Sequence, residues 1–269
     1  MTAASMADRI MRSARARTFS AALTLSMALI SLVFATTAAA IPKVTFQITP
    51  VPIPGFPGTG DILGAGAAVE VQVRITGTEY GGFPSPLVGM TIYAPSGVNV
   101  NTQGFGSCAP AVLEADGPSG CPKSSRAGPT GEGLGVVSFG GQPVNEQVSI
   151  QSFFAPAGGL TFDAVGRTPA AFEILEKGSW SMASAPYGPE LTLELPLVAT
   201  VPGAPDASIL SFKVQVGAAY RRDRKTVSYI TLPRRCPKGG APLKTELKFM
   251  SGETVTIADH QPCPKHRAP

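Results

Sequence analysis

The chain has 269 residues, with 22 Lys+Arg against 18 Asp+Glu, two His and four Cys; 43% of residues are apolar and 15% are charged. Gly and Pro number 30 and 26, enough for many turns yet below the level of low-complexity disorder. A disordered chain is thereby excluded, and the apolar content is ample for a core.

The first forty residues carry the pattern of a secretory signal. Arg9, Arg12, Arg15 and Arg17 form a basic head, Phe19–Ala35 is an uncharged apolar run, and Ala38-Ala39-Ala40 supplies a small-residue exit. Cleavage is expected after Ala40, and a retained anchor is the alternative, since the apolar run has about the minimum length that spans a bilayer. With no Cys at the exit and no Arg-Arg pair in the head, the general secretion route is expected. The destination is then extracellular, in association with the cell wall. Beyond Ala40 there remain 18 basic and 17 acidic residues, so the basic balance belongs mostly to the signal and a nucleic-acid partner is not expected. The remaining charge is uneven: Ile41–Phe212 has six basic and thirteen acidic residues, Lys213–Pro269 twelve and four.

Short alternating runs bounded by turn residues follow, the signature of strands. Val44–Ile48 precedes a link fixed by Pro50, Pro52, Pro54 and Pro57. In Ala68–Thr76, Val69, Val71, Val73 and Ile75 face one way and Glu70, Gln72, Arg74 and Thr76 the other. Further strands are predicted over Leu87–Tyr93, Val98–Val100, Leu134–Phe139, Val144–Phe154, Leu160–Val165, Leu191–Val198 and Ile209–Val216. Pro196 inside its run argues for an edge strand or a bulge. Val227–Leu232, Leu243–Met250 and Thr254–Ile257 are expected to close the chain as a meander. Ala109–Asp116 reads as a short helix with Pro110 in its first turn and Gly117 after its end. Thr168–Gly178 has helix-capping signals but also supports a strand through Phe172–Leu175. The expected fold is all-β: an antiparallel β-sandwich, immunoglobulin-like or jelly-roll-like, of about a dozen short strands spanning residues 41–264. A subdivision would fall near Gly104, and residues 265–269 read as a flexible tail.

Four cysteines in a secreted chain imply disulfides. Of three pairings, Cys108–Cys121 and Cys236–Cys263 are expected. In a three-strand meander the first and third strands exit at the same end, which brings Cys236 and Cys263 together. Each closed loop is worth roughly 3–4 kcal/mol by loop entropy. A zinc site would need paired Cys-x-x-Cys spacing, which is missing.

The stretch from Gly89-Met90-Thr91-Ile92-Tyr93-Ala94-Pro95-Ser96-Gly97 through Phe105-Gly106-Ser107-Cys108 to Cys121-Pro122-Lys123-Ser124-Ser125-Arg126-Ala127-Gly128 has a recurrent pattern. A strand ends in Pro-x-Gly, and a Cys, a short turn and Cys-Pro-x-x-Ser-x-x-Gly follow. It resembles a loosely defined group of secreted β-rich proteins of high-GC Gram-positive bacteria. Ser228-Tyr229-Ile230-Thr231 with Cys236-Pro237-Lys238-Gly239-Gly240 is similar to the same group. The resemblance implies fold and location, and transfers no functional residue.

No catalytic constellation is expected. His260 and His266 lie at the C-terminal end among prolines, a poor support for a rigid nucleophile–imidazole pair. There is no Gly-x-Ser-x-Gly, His-Glu-x-x-His, Walker or dinucleotide motif, and no calcium-loop spacing, so neither a metal nor a cofactor is expected. Glu190 and Glu194 share one strand face, and two carboxylates across a cleft suffice for glycoside hydrolysis, which leaves a polysaccharide hydrolase as the alternative to a non-catalytic structural, adhesive or ligand-binding protein. For binding, Trp180 and Tyr187 are candidates for glycan stacking, with core packing the competing reading of the single tryptophan. Arg221, Arg222, Arg224, Lys225, Arg234 and Arg235, at the two ends of Val227–Leu232, are candidates for holding anionic cell-wall polymers. The competing reading of these cations is a solvated loop that blunts a sheet edge.

Overall fold

Alternation of apolar and polar side chains with a period of two dominates the chain, and it is realised as one antiparallel sheet. The computed structural model describes residues 41–264 except 140–141, 169–170, 200–202 and 204; the predicted signal and the 265–269 tail lie outside the described residues. Among the described residues there are fifteen strands: β1 (Lys43–Val51), β2 (Gly66–Thr76), β3 (Leu87–Pro95), β4 (Asn99–Val100), β5 (Gly131–Phe139), β6 (Gln142–Phe154), β7 (Leu160–Gly166), β8 (Phe172–Met182), β9 (Tyr187–Glu194), β10 (Ser208–Val216), β11 (Ala219–Arg222), β12 (Lys225–Ser228), β13 (Ile230–Thr231), β14 (Ala241–Phe249) and β15 (Thr254–Gln261). Thirteen of them form a single sheet in the order β15-β14-β3-β9-β8-β7-β6-β5-β10-β2-β13-β4, with β1 also on β2; β11 and β12 form a separate hairpin.

Register decides which face is buried. Val71 and Val73 of β2 stand opposite Ile48 and Phe46 of β1 on one side and Val214 and Phe212 of β10 on the other. Far along the sheet, Leu191 and Leu193 of β9 face Ile92 and Met90 of β3, which in turn face Thr245 and Leu247 of β14. Residues from both regions belong to one buried core. The sheet therefore curls until its apolar face packs on itself, a sandwich whose two layers are halves of one sheet. Only Ser96, Gly97 and Val98 connect β3 to β4, although these strands lie far apart in the sheet order. Gly97 makes that crossing at φ 89°, where a Cβ would sit 3.3 Å from Pro233. The described residues from 41 onward form one compact unit, with no division at Gly104.

The predicted helix is α1 (Pro110–Asp116), started by Pro110 and stopped by Gly117 at φ 63°. With the Cys108–Cys121 disulfide it lies outside the sheet, where Leu113, Cys108 and Phe153 form a small second core with Leu175 beside it.

Of the two readings of Thr168–Gly178 the strand is the one formed: β8 begins at Phe172 and fills the space between β7 and β9, and pairing on both sides overrides the local capping signals. Other expectations change. The strand predicted over Leu191–Val198 stops at Glu194. β9 is a central strand, where Pro196 would break the ladder, so the proline lies just past its end. The terminal meander does not form. Val227–Leu232 is split into β12 and β13, and the two-residue β13 already has β2 and β4 as partners, so β14 pairs with β3 and β15 instead. Cys236 and Cys263 are nevertheless bonded, with Cα atoms 5.7 Å apart. The reason differs from the one expected: Cys236 precedes the start of β14 and Cys263 follows the end of β15, and Ala241 pairs with Gln261 at that shared end.

Candidate functional site

The first part of strand β5 turns glycine, not a side chain, to the inside: Gly133 stands between Phe212 of β10 and Val148 of β6, and Gly131 opposite Ile150. Glycine in a strand marks a sharp bend or a missing piece of packing. Both apply here. Val148, Ile150, Ile174, Phe212 and Val214 all point inward yet are only half-buried, because they face open space. That space is a cavity of about 520 Å³ between the two halves of the sheet. Its wall is almost entirely aliphatic and aromatic, and exposed Thr49, Pro196 and Pro262 on its lining mark where it reaches the surface.

Among the described residues three charged side chains line the cavity, Asp61, Glu146 and Glu176, and no Lys, Arg or His does. Glu146 is buried, and its Oε1 accepts the backbone N–H groups of Arg167 (3.0 Å) and Thr168 (2.9 Å), holding the turn that follows β7. The absence of a side chain at Gly166 makes room for this: a Cβ there would lie 2.9 Å from Glu146 Oε1 and 2.4 Å from the Phe172 ring. Glu176 has a different environment. It projects from the inner face of β8, opposite Phe162, is 7% exposed, and its Oε2 has no hydrogen-bond partner. Burial in this apolar wall pushes its carboxyl up to about 7.

At the other end of β8, Trp180 also lines the cavity. Its indole N–H donates to the Tyr229 hydroxyl at 2.7 Å. Tyr229 is 1% exposed, its phenol is pushed up to about 12 by burial, and its ring packs on Phe154 with centroids 4.5 Å apart. Trp180 thereby brings to the cavity wall an indole whose N–H is already bonded to a buried phenol.

The other predicted site residues are dispersed. Tyr187 lies away from the cavity, 5.7 Å from the ring of Tyr93, over which Lys244 Nζ sits at 3.8 Å. Trp180 and Tyr187 therefore make no common stacking platform. Arg221, Arg222 and Lys225 are on the exposed β11–β12 hairpin, whose turn is Asp223-Arg224 at φ 50° and 61°. Arg234 and Arg235 are exposed in the loop before β14, between Pro233 and Cys236, both of which line the cavity. Glu190 and Glu194 do share a face, but it is the outer one: Glu190 accepts the Ser181 hydroxyl at 2.6 Å, Glu194 is exposed, and Leu191, Leu193 and Leu195 turn inward.

No family model matches this chain, and neither a curated protein nor a solved structure matches it. The reading of the site rests on its geometry. Among the described residues no group of three His, Cys, Asp or Glu side chains could hold a metal ion, and no helix is long and apolar enough to cross a membrane. One further buried carboxyl stands outside the cavity. Asp163, 1% exposed on β7, is pushed up to about 6 by burial first and then by the charge and hydrogen bond of Glu173.

Proposed function

We propose that this protein is a non-catalytic binding protein, working outside the cytoplasm, that holds a small apolar molecule inside its folded-over sheet. The observation that carries this reading is the cavity. Ligand sites are typically concave, about 300–1,000 Å³ and mostly apolar with a few polar groups, and this chamber matches on each count. An unfilled void weakens a fold by about 24 cal/mol per Å³, so space of this size is a standing penalty that an apolar ligand would offset. The two disulfides support an oxidising location. A neutral solvatochromic dye such as Nile red is expected to bind the purified protein saturably at one site, with a blue-shifted emission and quenching of Trp180, the single tryptophan. Emission that rises without saturation would instead indicate adsorption to the surface and remove the reading.

A second contact is supported by the exposed cations. Arg221, Arg222, Arg224 and Lys225 crowd one hairpin, and Arg222 has only the exposed Asp223 near it, at 3.8 Å. Such charges attract anionic envelope polymers by Coulomb forces that salt screens over about 10 Å at 0.1 M. Retention on cell-wall material is expected to fall steeply between 0.05 M and 0.5 M NaCl, and retention indifferent to salt would refute the contact.

A further inference from the structure

The interior of the cavity also constrains the headgroup of its occupant. We infer that the occupant is a single-chain amphiphile with an amino headgroup, which donates an N–H hydrogen bond to the Glu176 carboxylate. This rests on the ligand-binding reading above and deepens it. At about 30 Å³ per non-hydrogen atom, by analogy with water, 520 Å³ holds roughly 15–20 such atoms. That is the size of one alkyl chain with a small head.

Glu176 supplies the recognition. A buried carboxylate oxygen is normally partnered, and Glu176 Oε2 is not. No neighbouring strand offers it a donor: Phe162 stands opposite on β7, and the inward residues beside it on β8 are Ile174 and Gly178. The missing donor must therefore come from the cavity itself. The charged groups that share the chamber with it are Asp61 and Glu146, and both are acidic. Glu146 already accepts two backbone N–H groups and Asp61 is only half-buried, which leaves Glu176 as the buried cavity carboxylate with an unpartnered oxygen.

The sign of the field follows from this inventory. Among the described residues the chamber holds three carboxylates and no cation, a lining that repels a carboxylate, sulfate or phosphate head, whose charge would also be stripped of water without compensation. A hydroxyl supplies the missing donor but no charge. An ammonium supplies both, and charge-assisted hydrogen bonds are about twice as strong as neutral ones. Desolvation of Glu176 is already incurred in the empty protein, so the ligand brings only its own.

The test is displacement of bound Nile red at pH 8 by dodecylamine, dodecanol and dodecanoate, each below its micelle concentration, with the wild type, Glu176→Gln and Glu190→Gln. The expected order for the wild type is amine, alcohol, carboxylate, with the amine about 10–100-fold tighter than the carboxylate. Glu176→Gln should bring the amine and the alcohol to within about threefold of each other, whereas Glu190→Gln, on the outer face, should keep the wild-type order. An amine no tighter than the alcohol, or an amine preference that survives in Glu176→Gln, overturns the inference while dodecanol binding leaves the cavity reading standing. If none of the three displaces the dye, the cavity reading falls and the inference falls with it.

Discussion

Gly135→Leu is expected to abolish uptake of apolar ligands and to stabilise the protein in the same step. Gly135 lies on β5 with an ordinary strand backbone, so an L side chain fits without φ strain. A Cβ there would meet only Ser208 O, at 3.4 Å, and the rest of the leucine would extend into the cavity that Gly135 lines. Filling apolar space in this way commonly adds about 0.5–2 kcal/mol, and replacing a strand glycine adds a further fraction. The leucine would occupy the volume that a ligand needs, so affinity for Nile red should drop by about a hundredfold or more, equivalent to about 2.7 kcal/mol. The neighbouring glycine gives the contrast. At Gly131 a Cβ would lie 2.4 Å from Lys213 O and 2.9 Å from Val214, so Gly131→Leu should destabilise. Urea titration and dye binding on both variants check this. Gly135→Leu that is stable and binds dye like the wild type would show that the cavity is not the binding site.

The fold and the site differ in how far the sequence reveals them, and β5 illustrates why. Val69, Val71, Val73 and Ile75 of β2 announce their strand, since an unbroken apolar alternation has one structural meaning. Gly131-Glu132-Gly133-Leu134-Gly135 also alternates, but its inward residue is glycine, so periodicity in side-chain hydrophobicity is silent about it. Glu146 sits at the same parity as Val144, Val148 and Ile150, and Glu176 at the same parity as Phe172, Ile174 and Trp180. That placement of an acid on an apolar face was the legible trace of the site. It needed the curl of the sheet, set by pairings between strands distant in sequence, to become a chamber. Trp180 shows the converse. Its flanking Gly178-Ser179 and Ser181 leave stacking in an exposed loop and packing in the core both open, and pairing with Leu191 of β9 decides for a strand with the indole turned inward to Tyr229. The disulfides were readable because two pairs of close cysteines leave few arrangements, whereas the strand order that brings Cys236 to Cys263 was not, since pairing partners in a sheet are not local in sequence.

The buried carboxyls give the protein a pH dependence with a definite sign. Glu176 titrates from 4.5 when exposed to about 7 in the fold, and Asp163 from 3.8 to about 6, both chiefly through desolvation. A raised carboxyl pKa means that the folded state holds its proton where the unfolded chain has lost it, so stability falls as pH rises through that window. Below about pH 4 both states are protonated and no penalty exists; above about pH 7 both are ionised and the Glu176 penalty is complete, on the order of 3 kcal/mol at 1.36 kcal/mol per pKa unit. Glu176→Gln keeps the shape and removes the ionisation. It is expected to match the wild type in urea midpoint at pH 4 and to exceed it at pH 8 by on the order of 2–3 kcal/mol in unfolding free energy. Glu194→Gln, at an exposed position on the neighbouring strand, should track the wild type at both pH values. Asp163 is untouched by either change, so a smaller decline in stability between pH 4 and 6 should persist in Glu176→Gln. Parallel pH profiles for the wild type and Glu176→Gln would mean that Glu176 is solvated in solution, and would remove it as the buried acid of the cavity. A midpoint gain absent at pH 4 that grows between about pH 4.5 and 7 and levels off above would identify the cavity carboxylate as an ionised group that the empty protein carries at a loss, the condition under which a cationic ligand binds most favourably.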